Sequence, residues 1–391
     1  MTSLKNIIGK KIVISLYYAF RIFPINRKKI FVSNFFGRGY GDSPKYIIDY
    51  LLANYSGYDV VWSVKEDCKF PNGIRIVKNK GYFGIIRNIY EQTTSKIWVD
   101  NCRKYIFERK RKGQYYIQTW HGDLGFKKCE GDVIDKIPNK DIENSKHDSK
   151  MADLFVCGNE WMYTRYKEAY WYDGEIAVCG LPRRDILYQY NERLAAKLKS
   201  NLCIDENFKI LLYVPTFRKD DIFNNHLGGY VSQFDWSVTL KTLENRFGGE
   251  WLGLMRLHPN AAKYKADLKL PDNVIDVTNY PDIIELFYIS DCCISDYSSS
   301  LFDFAVTKKP GFIFAPDIVE YEGERGHYFS KKDIPFTVSS DIQELKTNIE
   351  KYDEEEYYKR HYHFYFDTIH IYPEGHASEY LSKKIIGISK I

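Results

Sequence analysis

From residue 29 onward, short apolar runs alternate with stretches in which apolar residues recur at helical spacing. Lys29-Ile30-Phe31-Val32-Ser33 predicts a strand. Gly37-Arg38-Gly39-Tyr40-Gly41 follows as a glycine-rich turn, and Ser43-Pro44 opens a helix through Leu52. Asp59–Val64, Ile97-Trp98-Val99, Tyr115–Thr119, Leu154–Cys157 and Ile176–Cys179 continue the series as strands. Gly180-Leu181-Pro182-Arg183-Arg184 breaks the rhythm and reads as a hinge between domains. After a polar helix at Asn191–Ser200, the alternation resumes. Ile210–Val214, Leu252–Leu257, Cys292–Ser295 and Gly311–Phe314 are its strands. A charged, Tyr-rich helical stretch follows Tyr352, and a last helix spans Ser378–Ile386. Alternating β and α elements in two halves predict an α/β protein with two doubly wound, Rossmann-like parallel sheets.

The amino-terminal segment has a different pattern. Ile12–Phe23 is apolar except for Ser15 and Arg21. Lys5, Lys10 and Lys11 precede it, and Arg27, Lys28 and Lys29 follow. Pro24 is expected to end any helix there. The segment is too short to span a bilayer and lacks a small-residue cleavage site. Two readings stand: an amphipathic helix lying on an anionic leaflet, or a first helix docked on the core. No run of 18 apolar residues occurs, so no transmembrane helix is expected.

Composition narrows the class. A chain of 391 residues with 44% apolar and 28% charged residues is globular and long enough for two domains. A net charge of +4 is too small to argue for nucleic acid and fits a partner bearing phosphates or anionic lipid. The eight cysteines form no C-x-x-C motif or zinc-type cluster, and read as reduced buried thiols.

In doubly wound sheets, ligands bind beyond the carboxyl ends of strands. Four strand ends carry suitable chemistry. Thr119-Trp120-His121-Gly122 places at one of them a histidine, the side chain best suited to accept a proton near neutral pH. Pro215-Thr216-Phe217-Arg218 offers a hydroxyl and a guanidinium that can grip phosphate. Arg256-Leu257-His258-Pro259 brings a second histidine, a donor to a phosphate oxygen or a leaving group. Ser295-Asp296-Tyr297-Ser298-Ser299-Ser300 leads into a helix, where hydroxyls and free N–H groups suit an anion, and Ser300 with Asp303 has capping-box spacing. Together these features fit a diphosphate and a transferred proton.

The ordered set Thr-Trp-His-Gly, Pro-Thr-Phe-Arg, Arg-Leu-His-Pro and Ser-Asp-Tyr-Ser-Ser resembles the CDP-glycerol glycerophosphotransferase family of teichoic acid and capsule synthesis. Gly180–Asp185, Asp303-Phe304-Ala305 with Lys309-Pro310, Tyr321 with Arg325–Phe329, and Pro373–Ser378 extend the resemblance across roughly residues 30 to 385. It implies a glycosyltransferase-B-like fold. Residues 1–28 would be a membrane-associating helix, 29–185 an acceptor-binding domain, 186–350 a CDP-donor-binding domain, and 351–391 helices packing back across the domains. It implies a CDP-glycerol or CDP-polyol donor, a lipid-linked saccharide or polymer acceptor, the cytoplasmic membrane surface as location, and no cofactor or metal. The lack of a D-x-D motif agrees with the last point. Carried over by position, His121 matches the base, with His258 as a second catalytic group. Thr216, Arg218, Asp296, Ser298, Ser299, Ser300 and Arg325 fall on the donor side, and Trp120, Gly122, Asp123 and Lys127 on the acceptor side. The family's usual threonine-proline-leucine turn is here Asp123-Leu124-Gly125-Phe126, and His327 replaces a more usual apolar aromatic. A nucleotide-sugar glycosyltransferase and a non-catalytic scaffold are the rival classes. The absence of glutamate between Leu286 and Val319 weakens the first, and the intact strand ends weaken the second.

Overall fold

The computed structural model describes residues 4–66, 68–125, 127–216, 229–258, 261–262, 269–318, 326–373 and 375–390. They divide into two compact units. One comprises the chain up to Asp123, Glu130–Asp185 and Ile371 onward; the other comprises Leu124–Cys129 and Ile186–His370.

The first unit is built on a parallel sheet of seven strands. They are β1 (Asn26–Ser33), β2 (Asp59–Val64), β3 (Ile74–Lys78), β4 (Ser95–Asp100), β5 (Tyr115–Gln118), β6 (Leu154–Cys157) and β7 (Glu175–Val178), in the spatial order β3-β2-β1-β4-β5-β6-β7. The order reverses at β1, where Ile30 pairs with Val60 on one side and Ile97 on the other. Residues Ile30–Ser33, buried on both faces, explain why β1 reads as an unbroken apolar run. Helix α1 (Leu4–Ala19) gives way to a short 3₁₀ turn and stops before Pro24. It packs on α3 (Gly81–Thr94), and the buried Tyr17 hydroxyl donates to Gln92 on that helix. Tyr17 thus docks on the core, while Ile12, Tyr18, Ile22 and Phe23 of the same segment stay exposed. Helix α2 (Asp42–Asn54) buries Ile47, Ile48 and Leu51 against Leu381 and Ile385 of the last helix, Ala377–Lys390. Asp185 accepts from the backbone N–H groups of Ala377 and Ser378 at 3.1 and 2.7 Å, capping that helix from a distant part of the chain.

The second unit has a parallel sheet of six strands in the order β10-β9-β8-β11-β12-β13. These are β8 (Lys209–Val214), β9 (Trp251–Met255), β10 (Val274–Asp276), β11 (Cys292–Ser295), β12 (Gly311–Phe314) and β13 (Thr337–Ser339). Again the order reverses at the first strand, β8, which lies between β9 and β11. Leu211, Tyr213, Trp236, Met255, Ile294 and Phe312 share one core, with Tyr213 and Phe234 stacked at 4.0 Å.

Candidate functional site

In the first unit, His121 stands just beyond the carboxyl end of β5, beside the switch strand's outgoing loop. Its Nδ1 lies 2.8 Å from the carbonyl oxygen of Asn101, at the end of β4. A carbonyl accepts only, so Nδ1 carries the hydrogen and Nε2 is left as the basic nitrogen. Asn101 is itself fixed: its amide donates to the Asn34 side chain at 2.7 Å and its Oδ1 accepts from Phe35 N–H at 2.8 Å. The Phe35 ring lies 5.5 Å from the imidazole, and Trp120 stacks on it at 4.4 Å. Packing around the ring lowers the pKa of His121 below its ordinary value; the Asn101 carbonyl and the Asp42 carboxylate oppose the shift, while Arg183 and Arg103 reinforce it. The imidazole is thus neutral, and able to accept a proton, at neutral pH.

The turn bearing His121 is strained. Trp120 has φ +53° and Gly122 φ +156°, both outside the ordinary range for L-residues. Gln118 Oε1 accepts from Trp120 N–H at 2.9 Å, and Arg103 lies 4.8 Å from the centre of the Trp120 ring. Asp123 is not a lining group. It is fully buried, and its carboxylate is held by the equally buried Arg184. Arg183 donates to the His121 carbonyl oxygen at 2.7 Å and to Asp42 at 2.9 Å. The segment read from sequence as a hinge therefore pins the histidine turn within its own unit. Lys127, expected beside the base, belongs to the second unit and forms an antiparallel bridge with His327.

In the second unit, Thr216, His258 and Asp296 all follow carboxyl ends of strands. Asp296 is buried and accepts from Thr216 N–H and Oγ1, each at 2.9 Å, tying the β8 end to the β11 end. His258 is exposed to solvent. Ser298, Ser299 and Ser300 are half-buried. The expected Ser300–Asp303 capping box is replaced by another arrangement: Ser298 Oγ accepts from Ser300 N–H at 3.1 Å. The helix that follows, Ser300–Phe304, is one short turn, and Ser299, the residue before it, makes no side-chain capping bond. Arg218 and Arg325 lie outside the described residues. A cavity of about 740 Å³ opens beside this turn, lined by Tyr297, Ile313, Ile318, His327, Phe329 and Lys331. Its volume suits a nucleotide-sized ligand. Tyr297 and His327 lie nearly parallel across 5.9 Å, and the Tyr297 hydroxyl donates to Asp317. Sequence reasoning missed this cavity, although His327 had stood out as unusual.

Sequence reasoning also missed Asn101, Asp42 and the role of Arg183. Asn101 sits at a strand end, which was the available signal. Asp42 and Arg183 are joined only by the fold.

Two parallel six- and seven-stranded sheets, with polar residues gathered at their carboxyl ends, define a glycosyltransferase-B-like architecture. The chain belongs to the CDP-Glycerol:Poly(glycerophosphate) glycerophosphotransferase family, whose profile matches residues 15–387. It is 30% identical to a teichoic acid poly(glycerol phosphate) polymerase of Staphylococcus epidermidis over 92% of this chain and 51% of that protein. It is 28% identical to a teichoic acid glycerol-phosphate transferase of Staphylococcus aureus over 90% of this chain and 91% of that protein. The chain spans about half the length of the Staphylococcus epidermidis and Bacillus subtilis polymerases it matches. A solved structure of the wall teichoic acid polymerase TagF superimposes with a TM-score of 0.83 at 28% identity, covering 99% of this chain and 96% of that one. Another TagF structure was obtained after a soak with CDPG. A UDP-GlcNAc 2-epimerase from Neisseria meningitidis shares the fold alone, at TM-score 0.53 and 14% identity.

Proposed function

We propose that the protein transfers glycerol phosphate, or a related polyol phosphate, from a CDP-alcohol to a hydroxyl of a lipid-linked or polymer acceptor, releasing CMP. The observation that carries this reading is the His121 tautomer: the Asn101 carbonyl holds Nδ1–H and leaves Nε2 to take a proton. In the reaction, Nε2 accepts the proton of the acceptor hydroxyl. The acceptor oxygen forms a bond to the β-phosphorus of the donor. The bond from that phosphorus to the bridging oxygen breaks, and CMP departs with its electron pair. The second unit supplies the donor grip. His258 and the hydroxyls of Ser298, Ser299 and Ser300 hold diphosphate oxygens, the Thr216–Asp296 tie fixes the strand ends beneath them, and the Tyr297–His327 cavity receives the cytidine. Arg218 and Arg325 are assigned to the same diphosphate on their family positions. A panel of CDP-glycerol, CDP-ribitol and UDP- or CMP-sugars, read by the nucleotide released, tests the reading. CMP from a CDP-polyol supports it. Release from sugar nucleotides alone favours the glycosyltransferase reading, and release from none favours a scaffold.

The surface supports a location at a membrane face. Among the described residues, no helix is long and apolar enough to cross a membrane. Yet the first turns of α3 expose Tyr82 and Phe83 at 89% and 90%, with Ile85 and Ile86 beside them. Lys78, Lys80 and Arg87 are exposed around this patch, and Ile22 and Phe23 are exposed at the end of the neighbouring α1 segment. Aromatic side chains within a basic rim suit an anionic lipid surface. The double change Tyr82→Ser with Phe83→Glu is expected to reduce flotation with phosphatidylglycerol vesicles while the circular dichroism stays unchanged. Undiminished flotation contradicts this location.

A further inference from the structure

We propose that Arg183, neutralised by Asp42, is a positioning residue for His121 that sets both the direction and the basicity of its imidazole. The inference rests on the reading of His121 as the base. Trp120 holds strained backbone on one side of the histidine, and Gly122 on the other takes a positive φ that glycine accommodates. Such a turn holds its shape only when its surroundings fix it. Three contacts do so along the turn, at Trp120, His121 and Asp123: Gln118 accepts from Trp120 N–H, Arg183 donates to the His121 carbonyl, and Arg184 grips the Asp123 carboxylate. Of these three, the Arg183 contact falls on the backbone of the histidine, whose ring is bonded to the Asn101 carbonyl. The same Nη1 also reaches Asp42 Oδ2 at 2.9 Å, while Asp42 Oδ1 accepts from Ser43 N–H at the start of α2. Arg183 and Asp42 are 4% and 5% exposed at their side chains, so the pair is shielded from solvent and acts on the imidazole at close range.

The charged groups facing the imidazole come from three elements. They are Asp42 at the start of α2, Arg103 after β4, and Arg183 after β7. Asp42 favours the imidazolium, whereas Arg183 and Arg103 disfavour it. A merely structural arginine would affect folding but would not move the pKa of His121 in a direction set by charge. The positioning role predicts opposite movements for the two partners. Arg183→Gln removes the cation and raises the His121 pKa. Asp42→Asn removes the anion and lowers it.

The test uses the full chain labelled at histidine, with the His121 resonance assigned by its loss in His121→Asn. Imidazole titration is expected to move up in Arg183→Gln and down in Asp42→Asn. Shifts of the same sign, or none in either variant, overturn the proposal. Steady-state CMP release from CDP-glycerol, with a lipid-anchored glycerol-phosphate oligomer as acceptor, supplies the second readout. Arg183→Gln is expected to lower kcat by about 10- to 100-fold, as misplacement of a reacting group does, with KM for the donor unchanged. The same change made in the His121→Asn background is expected to have no further effect. An undiminished effect in that background places Arg183 in another role and overturns the proposal. If His121→Asn itself keeps full activity, the base assignment fails, and with it the claim that Arg183 serves catalysis, whatever the titration shows. Should Arg183→Gln fail to fold, Arg183→Lys retains the cation and is expected to restore the wild-type titration; a shifted titration in folded Arg183→Lys overturns the role assigned to the charge.

Discussion

At the scale of single residues, the buried charges make the firmest predictions. Arg184 and Asp123 are both removed from water, so deleting one strands the other. Arg184→Met is expected to cost about 3–5 kcal/mol, read as a lowered urea midpoint. A loss below about 1 kcal/mol, the range of an exposed pair, would show that the carboxylate finds water or another partner. Asp148 behaves differently. It is buried and accepts from Lys104 N–H at 2.8 Å, Tyr116 Oη at 2.9 Å and Gln118 Nε2 at 3.1 Å. Burial outweighs these bonds and raises its pKa to about 6. A carboxyl whose folded pKa is raised gives stability that is full below the unfolded value of about 3.9 and is lost as pH rises through the folded value. Stability should therefore fall between pH 4 and 6 on account of this group. Asp148→Asn should abolish that share of the slope; an unchanged slope would refute the assignment. His121 and His258 were legible from sequence because each follows a strand. The partners of His121 were not, because Asp42 and Arg183 are separated by 141 residues.

At the scale of elements, the chain's periodicity is plain wherever one face or both are buried. β1, β2, β8 and β11 are such cases, and their apolar runs mark them. The stretch holding β3 and α3 was not assigned from sequence, for a physical reason. β3 is the sheet edge, and only Val77 is buried along it. The first half of α3 carries its apolar residues outward, reversing the usual helical pattern. The Ser298 turn was likewise hidden, since the serine that accepts from Ser300 N–H could be told from its two neighbours only by the backbone path. The final helix offers a separate test. Its first N–H groups bond to Asp185 rather than to a local cap. Asp185→Ala is expected to cost about 1–2 kcal/mol and to speed amide exchange in the first turn of Ala377–Lys390. Unaltered exchange there would mean that local groups or water cap the helix as well.

At the scale of the whole molecule, the β/α alternation conveyed two parallel sheets, and each sheet reverses its strand order at its first strand. The strand orders themselves were not legible, because apolar strands buried on both faces carry little register information. The carboxyl-end rule then directed attention to His121, Thr216, His258 and Asp296, each of which follows a strand. Donor binding belongs to this scale. A ligand that binds only the folded chain raises its melting temperature. CDP-glycerol is expected to do so, and Asp296→Ala, which leaves both Thr216 donors without this acceptor, is expected to remove most of the shift. A full shift in that variant would place the donor away from the β8 and β11 ends.

The central claim is that His121 is the base for transfer from a CDP-alcohol. Its most direct test is the rate of CMP release from CDP-glycerol in the presence of acceptor, compared between the wild-type chain and a folded His121→Ala variant. The account predicts CMP release by the wild type and a loss of about 10²–10⁴-fold in the variant. Near-full release by the variant would contradict it.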